Sequence, residues 1–414
     1  MKKFVWLTFC FVLACVSPLY AVDYYVDSVS GDDANNGTAP ERAWKTLEKV
    51  NSQNFVDGDS VLFRRDGLWR GYLDLKPGKI TYSSWGEGAK PRIYGSVALN
   101  REEDWVSGDD GLWLSREGVT FQGDVGNIIL DGSKAAFKKW TRADLVNEDD
   151  FWFDITGDGR IHYKSQENPA KRYKEIEAAQ RQHHVIDHSG TNGAIVDGFD
   201  LRYGAAHGCG GASARNLTIR NCDISWIGGG DQHGRGGEGR RVRFGNGIEF
   251  WDSAENCLVE NNRIWEIYDA ALTNQGSGKN REVNLIWRNN EIWNSEYSFE
   301  YWNRPEESIT ADILVQGNQC RDAGCGWGHV QRPDINGAHI MFYNNSATTT
   351  NFRIEGNTFT NSTEVLMRME NDWRAALTFE KNHWEQKEGL PWFRLFQKHY
   401  GQEGLEKLPT NDQP

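Results

Sequence analysis

Three segments decide the fold: Leu258-Val-Glu-Asn-Asn-Arg-Ile264, Ile286-Trp-Arg-Asn-Asn-Glu-Ile292 and Leu314-Val-Gln-Gly-Asn-Gln-Cys320. Each is a short alternating strand that ends in Asn, and each begins 28 residues after the one before. Earlier copies read Ala194-Ile-Val-Asp-Gly-Phe-Asp-Leu201 and Leu217-Thr-Ile-Arg-Asn-Cys-Asp-Ile224. Later ones read Ile340-Met-Phe-Tyr-Asn-Asn345, Phe352-Arg-Ile-Glu-Gly-Asn357 and Leu377-Thr-Phe-Glu-Lys-Asn382. A second series lies between them: Gly247-Ile-Glu-Phe-Trp251, Ala271-Leu-Thr-Asn274, Ser298-Phe-Glu-Tyr-Trp302 and Gly328-His-Val-Gln331. A repeat of this length with two or three strands, Gly/Asn turns and no helical periodicity predicts an all-β chain wound as a parallel β-helix. Coils stacked about 4.8 Å apart put like residues in ladders. Asn262, Asn290 and Asn318 are then expected to satisfy buried turn backbone through amide-to-amide hydrogen bonds.

Composition agrees. Of 414 residues, 44 are Gly and 18 Trp, a mixture suited to turns and flat surfaces rather than helix bundles. Lys and Arg number 46 against 59 Asp and Glu, a formal charge of −13 that argues against nucleic acid as a partner. Hydrophobic residues, at 38 %, are too many for a disordered chain.

Lys2-Lys3, the apolar run Phe4 to Val16 and Ser17-Pro18-Leu19-Tyr20-Ala21 follow the order of a secretory signal peptide, with cleavage expected after Ala21. Val12-Leu13-Ala14-Cys15 also reads as a lipoprotein signal with Cys15 as the anchor. A secreted or periplasmic product with no transmembrane segment is expected. Five cysteines remain beyond residue 21: Cys209, Cys222, Cys257, Cys320 and Cys325. None forms a C-x-x-C pair, so buried rung residues are expected, with a Cys320 to Cys325 bridge as an alternative.

The segment Tyr24-Tyr-Val-Asp-Ser-Val-Ser-Gly-Asp-Asp-Ala-Asn-Asn-Gly-Thr38, with Ala43-Trp-Lys-Thr-Leu47, Asp57-Gly-Asp59 and Leu68-Trp-Arg-Gly71, resembles the opening of exported right-handed parallel β-helix proteins of the pectin-lyase-like superfamily. Together with the coils, the resemblance covers residues 22–414 as one solenoid domain. It implies an N-terminal cap and first coils over 22–98, with a helix near Ala43 to Asn51, and regular coils over 183–384. A C-terminal cap is expected over 385–414. Residues 99–182 are less regular and read as hairpins or a flap on the early coils, with a separate small domain as the alternative. The superfamily hosts lyases, glycosidases, epimerases, tailspikes and adhesins, so chemistry must come from the site.

In the second series Glu249, Thr273, Glu300 and His329 align on successive coils. Glu249 and Glu300 would then stand two coils, about 9.6 Å, apart on one face. That separation suits an inverting glycosidase, where roughly 6.5 to 9.5 Å between acid and base admits a water. Asp269 is a third carboxylate candidate. Trp251, Tyr301 and Trp302 flank the column as sugar-stacking candidates. The alternative is a solvated face whose glutamates happen to repeat.

The insert Gly228 to Gly245 gathers Asp231, His233, Arg235, Arg240, Arg241 and Arg243, an island of cations that suits an anionic glycan. His207, His233 and His329 are candidate proton-transfer groups for β-elimination. No cofactor is required by these readings, although Gly31-Asp-Asp-Ala-Asn-Asn-Gly37 offers oxygen ligands that would admit Ca²⁺. A polysaccharide hydrolase leads, a uronate lyase follows, and a noncatalytic glycan-binding solenoid is the alternative from another class. A monomer is expected.

Overall fold

The computed structural model describes residues 21–181, 183–233, 242–333 and 335–410. The stretch that reads as a signal peptide, with Cys15, lies outside them, and no helix among the described residues is long and apolar enough to cross a membrane.

Three strands recur in each regular coil. One column runs through Ala270–Gly276, Tyr297–Asn303, Ala338–Phe342 and Val365–Met369. The second holds Arg281–Arg288, Ile309–Gln316, Thr348–Glu355 and Leu377–Glu380. The third holds Arg263–Ile267, Glu291–Trp293, Gln319–Ala323 and Thr358–Ser362. The long strand Ile248–Glu260 belongs to both of the first two, bending at Asp252 and Ser253, which take φ of 42° and 91°. All pairings between coils in these columns are parallel, and Leu258, Ile286 and Leu314 stand in register as the 28-residue spacing requires.

Alternation fills the interior. Val259, Trp287, Val315, Ile354 and Phe379 stack rung upon rung and are buried, while the residues between them point outward. Asn256, Asn284 and Asp312, again one per coil, take left-handed φ near 58°, a conformation Asn and Asp tolerate at little cost. The turn amides form a continuous ladder. Asn262 donates to Asn290, Asn290 to Asn318, Asn318 to Asn357 and Asn357 to Asn382, each at 2.9 to 3.0 Å. Cys209, Cys222, Cys257 and Cys320 are buried rung residues, Cys325 is exposed, and all five carry free thiols.

At the N-terminal end Trp44, Leu47 and Val50 seal the core. The helix there is only Leu47–Asn51, because Thr46 caps it by accepting the Lys49 N–H at 3.1 Å. The Asp33 carboxylate accepts from the Lys45 and Thr46 backbone and the Thr46 hydroxyl, so this acidic loop spends its oxygens on the turn. At the other end Phe393–Leu395 pairs antiparallel with Lys398–Tyr400 and ends the stack.

The segment between Ser96–Ala98 and Ile176–Gln180 is more than hairpins laid on early coils. The strand Arg92–Tyr94 pairs directly with Asp200–Arg202, so the intervening chain is an excursion between two successive coils. Two sheets close there around a separate core that includes Leu99, Trp105, Phe151, Ile161 and Tyr163. It docks against the solenoid at Gly126, where a Cβ would lie 2.4 Å from the Gly230 nitrogen.

Asn290→Ala should lower unfolding free energy by roughly 2–4 kcal/mol, since it strands several buried ladder partners. Urea unfolding of the variant checks this; a midpoint equal to wild type would show that the ladder does not hold the coils.

Candidate active site

The register places Glu249 beside Thr273 and Thr273 beside Glu300, so the two glutamates share one face two rungs apart. They open into a cleft of about 740 Å³ together with His207, Asn246, Trp251, Asp269, Trp302 and Arg332. The insert forms one wall through Val242, Arg243 and Phe244, and Arg181 comes from the end of the excursion.

Both glutamates are buried, at 6 % and 4 % exposure, although they sit on the outward face of their strands. Burial pushes the Glu249 carboxyl up to about 8; the Asn246 amide opposes this and the charges of Asp269 and Asp252 add to it. Glu300 is driven well above the ordinary carboxylate range, first by burial and then by Asp269, with the Trp302 indole pulling the other way. Its Oε1 accepts the Trp302 Nε1–H at 2.9 Å, while its Oε2 has no hydrogen-bond partner. Asp269 is anchored differently: Arg332 donates to its Oδ1 at 3.0 Å, which favours the ionised carboxylate. Arg332 is itself held by the Tyr268 carbonyl at 2.9 Å and lies against the Tyr268 and Tyr297 rings.

His207 lies 3.2 Å from Glu249, at ion-pair distance, yet it is a neutral donor. Its Nδ1 accepts the Asn246 backbone N–H at 2.9 Å, so the single ring proton sits on Nε2, the nitrogen nearer Glu249. Burial, with the neighbouring His184 and His188, holds the ring well below its ordinary range. It therefore has no free lone pair with which to take a proton from a substrate.

Four sequence candidates occupy other places. Tyr301 points inward, its hydroxyl on Asn345 and Thr349 in the core, because strand alternation turns it away from the face that Glu300 and Trp302 share. His329 is not the next member of the column. The coil after Glu300 is enlarged by a loop, His329 lies in the short turn His329–Gln331 against Glu296 at 3.0 Å, and the register partner of Glu300 is Met341. His233 is exposed beyond Asp231 and does not line the cleft. Arg243 borders the cleft but spends its donors on Gly229, Gln331 and Gly126, stacked against Tyr268 and Trp327. It pins the insert to the excursion. Arg235, Arg240 and Arg241 lie outside the described residues.

The structure adds Asn246, Arg332, Arg181 and Arg304 to the cleft. Gly245-Asn-Gly247, three residues before Glu249, was a readable hint of the first; Arg332 left no signal, since its loop follows no repeat. A metal-ligating cluster among the described residues, Asp154, Asp158 and His162, belongs to the excursion and does not line the cleft.

No family model matches the chain. Over 73 residues it is 40 % identical to a lacto-N-biosidase of Bifidobacterium longum, a match covering 16 % of this chain and 5 % of that protein. Among solved structures, XylC in complex with xylose superposes with a TM-score of 0.50 at 13 % identity, covering 89 % of this chain and 76 % of the other. A structure described as a glycoside hydrolase gives 0.51 at 9 % identity, covering 91 % and 95 %. The chain has the right-handed parallel β-helix fold. Within this β-helix, the cleft is formed on the column that carries Glu249 and Glu300, under the two loops that interrupt the regular coils.

Arg332→Met should cost roughly 3 kcal/mol by leaving Asp269 without its main cation, and a double-mutant cycle with Asp269→Asn should recover at least about 1 kcal/mol. Additive losses in urea unfolding would mean that the pair is not coupled.

Proposed function

We propose that the protein is an exported glycoside hydrolase that cleaves an anionic polysaccharide with inversion at the anomeric carbon. The observation that carries this reading is the pair Glu249 and Glu300, two rungs apart in one cleft and both raised by burial. Paired carboxyls whose environments separate their proton affinities take opposite roles. Glu300, whose proton burial retains, acts as general acid toward the glycosidic oxygen. Glu249 acts as base toward a water on the opposite side of the sugar. The backbone separation of about 9.6 Å leaves room for that water. Asp269, kept ionised by Arg332, stabilises the positive charge that develops at the anomeric centre.

Trp251 and Trp302, with centroids 5.6 Å apart and planes crossed at 80°, offer ring surface to the sugar. The preference for an anionic glycan is supported by Arg304 and Arg181. The first lies over the Trp302 ring at 4.3 Å, the second over Phe244 at 5.1 Å, and neither pairs with a carboxylate among the described residues. The xylose complex, the glycoside hydrolase and the lacto-N-biosidase segment support a glycan-cleaving role. Hydrolysis is favoured over β-elimination because the buried, neutral His207 ring has its acceptor nitrogen Nδ1 taken by the Asn246 N–H.

On the oligosaccharide that wild type cleaves, Glu249→Gln and Glu300→Gln should each lower kcat by roughly 10²- to 10⁴-fold. Proton NMR of the fresh product should show the inverted anomer; a retained anomer would make Asp269 the nucleophile. The rate should rise with pH toward about 8 as Glu249 ionises, and fall above that as Glu300 loses its proton. Products absorbing in the near ultraviolet would instead assign a lyase, and no cleavage across uronate, sulfated and neutral glycans would sink the enzymatic reading.

A further inference from the structure

We propose that Asn246 is a positioning residue that holds one oxygen of Glu249, orients the His207 ring beside the other, and ties the carboxyl to the coil that carries Asp269. The inference rests on the reading of Glu249 as the base. Asn246 is 3 % exposed, and each of its polar groups has a partner. Its side-chain Nδ2 donates to Glu249 Oε2 at 2.5 Å. Its Oδ1 accepts the Ala270 N–H at 3.0 Å, one residue beyond Asp269. Its carbonyl accepts the Gly208 N–H at 2.9 Å, on the coil before. Its own N–H donates to His207 Nδ1, which places the ring proton on Nε2, 3.2 Å from Glu249 Oε1.

One residue therefore holds one oxygen of Glu249 directly and orients the His207 ring beside the other, while bridging three successive coils. The flanking glycines allow this close approach. At Gly245, with φ of 138°, a Cβ would lie 2.2 Å from the Gly228 Cα, and at Gly247 it would lie 2.5 Å from the Ala271 carbonyl oxygen. The ionisable groups around Glu249 are His207 at contact distance and Asp269, Asp252 and Glu300 through their charge. Asn246 supplies the side-chain amide that favours the ionised form among them.

The test uses two variants of the full mature chain. Asn246→Asp keeps an acceptor for the Ala270 N–H and replaces the donor toward Glu249; Asn246→Ala removes the donor without adding charge. Both should move the acid limb of kcat/KM upward by about one pH unit, the value of one hydrogen bond to the charged form. Turnover at neutral pH should fall about tenfold with KM nearly unchanged, and Asn246→Asp should melt close to wild type. In parallel, carboxyl-carbon NMR of glutamate-labelled protein, assigned with Glu249→Gln, should show the Glu249 titration displaced in the same direction. That signal needs no substrate, so it tests Asn246 even if no glycan is turned over and the hydrolase reading fails. A Glu249 titration identical to wild type in both folded variants would overturn the proposal.

Discussion

The parallel ladder between coils governs everything else in this molecule. Because each rung hydrogen-bonds to the next without slippage from Ala270 to Asn303, a residue's place along its strand fixes which residues stand above and below it. Thr273 separates Glu249 from Glu300 for that reason alone, and the same rule turns Tyr301 into the core while leaving Trp302 beside Glu300. A flat ladder face cannot by itself bury a carboxyl. Burial comes from the two places where the ladder is interrupted: the insert around Phe244 and the loop that carries Arg332.

Those interruptions set the electrostatics. Each loop is fastened by an arginine that makes hydrogen bonds outside its own strand, Arg243 to the excursion at Gly126 and Arg332 to Tyr268 and Asp269. The result is a cleft in which burial raises both glutamates, the charge of Asp269 adds to it, and Arg332 partly offsets it at Glu300. The histidines stay neutral under the same burial and serve as oriented donors.

How much of this was legible in the chain follows from the same division. The 28-residue spacing of Leu258, Ile286 and Leu314, the Asn ladder and the pairing of Glu249 with Glu300 were readable because strict stacking copies sequence period into space. The reading strayed where the period breaks. His329 fell in line only by counting one more coil through a loop that lengthens the turn, and Tyr301 was grouped with its neighbours because adjacency in sequence hides the alternation of faces. Arg332 reaches Asp269 from 63 residues away in a loop without repeat, and a distance of that kind leaves no periodic trace. Arg243 was noticed for its charge, but a guanidinium can serve the fold as readily as a ligand, and only its partners decide which.

The central claim is that Glu300 stores a proton at neutral pH in a cleft built to keep it. Carboxyl-carbon NMR of glutamate-labelled protein, assigned with Glu300→Gln and followed from acid to alkaline pH, measures this directly. The account predicts that Glu300 stays protonated well above the usual carboxylate range. A Glu300 signal that ionises with the surface glutamates would contradict it.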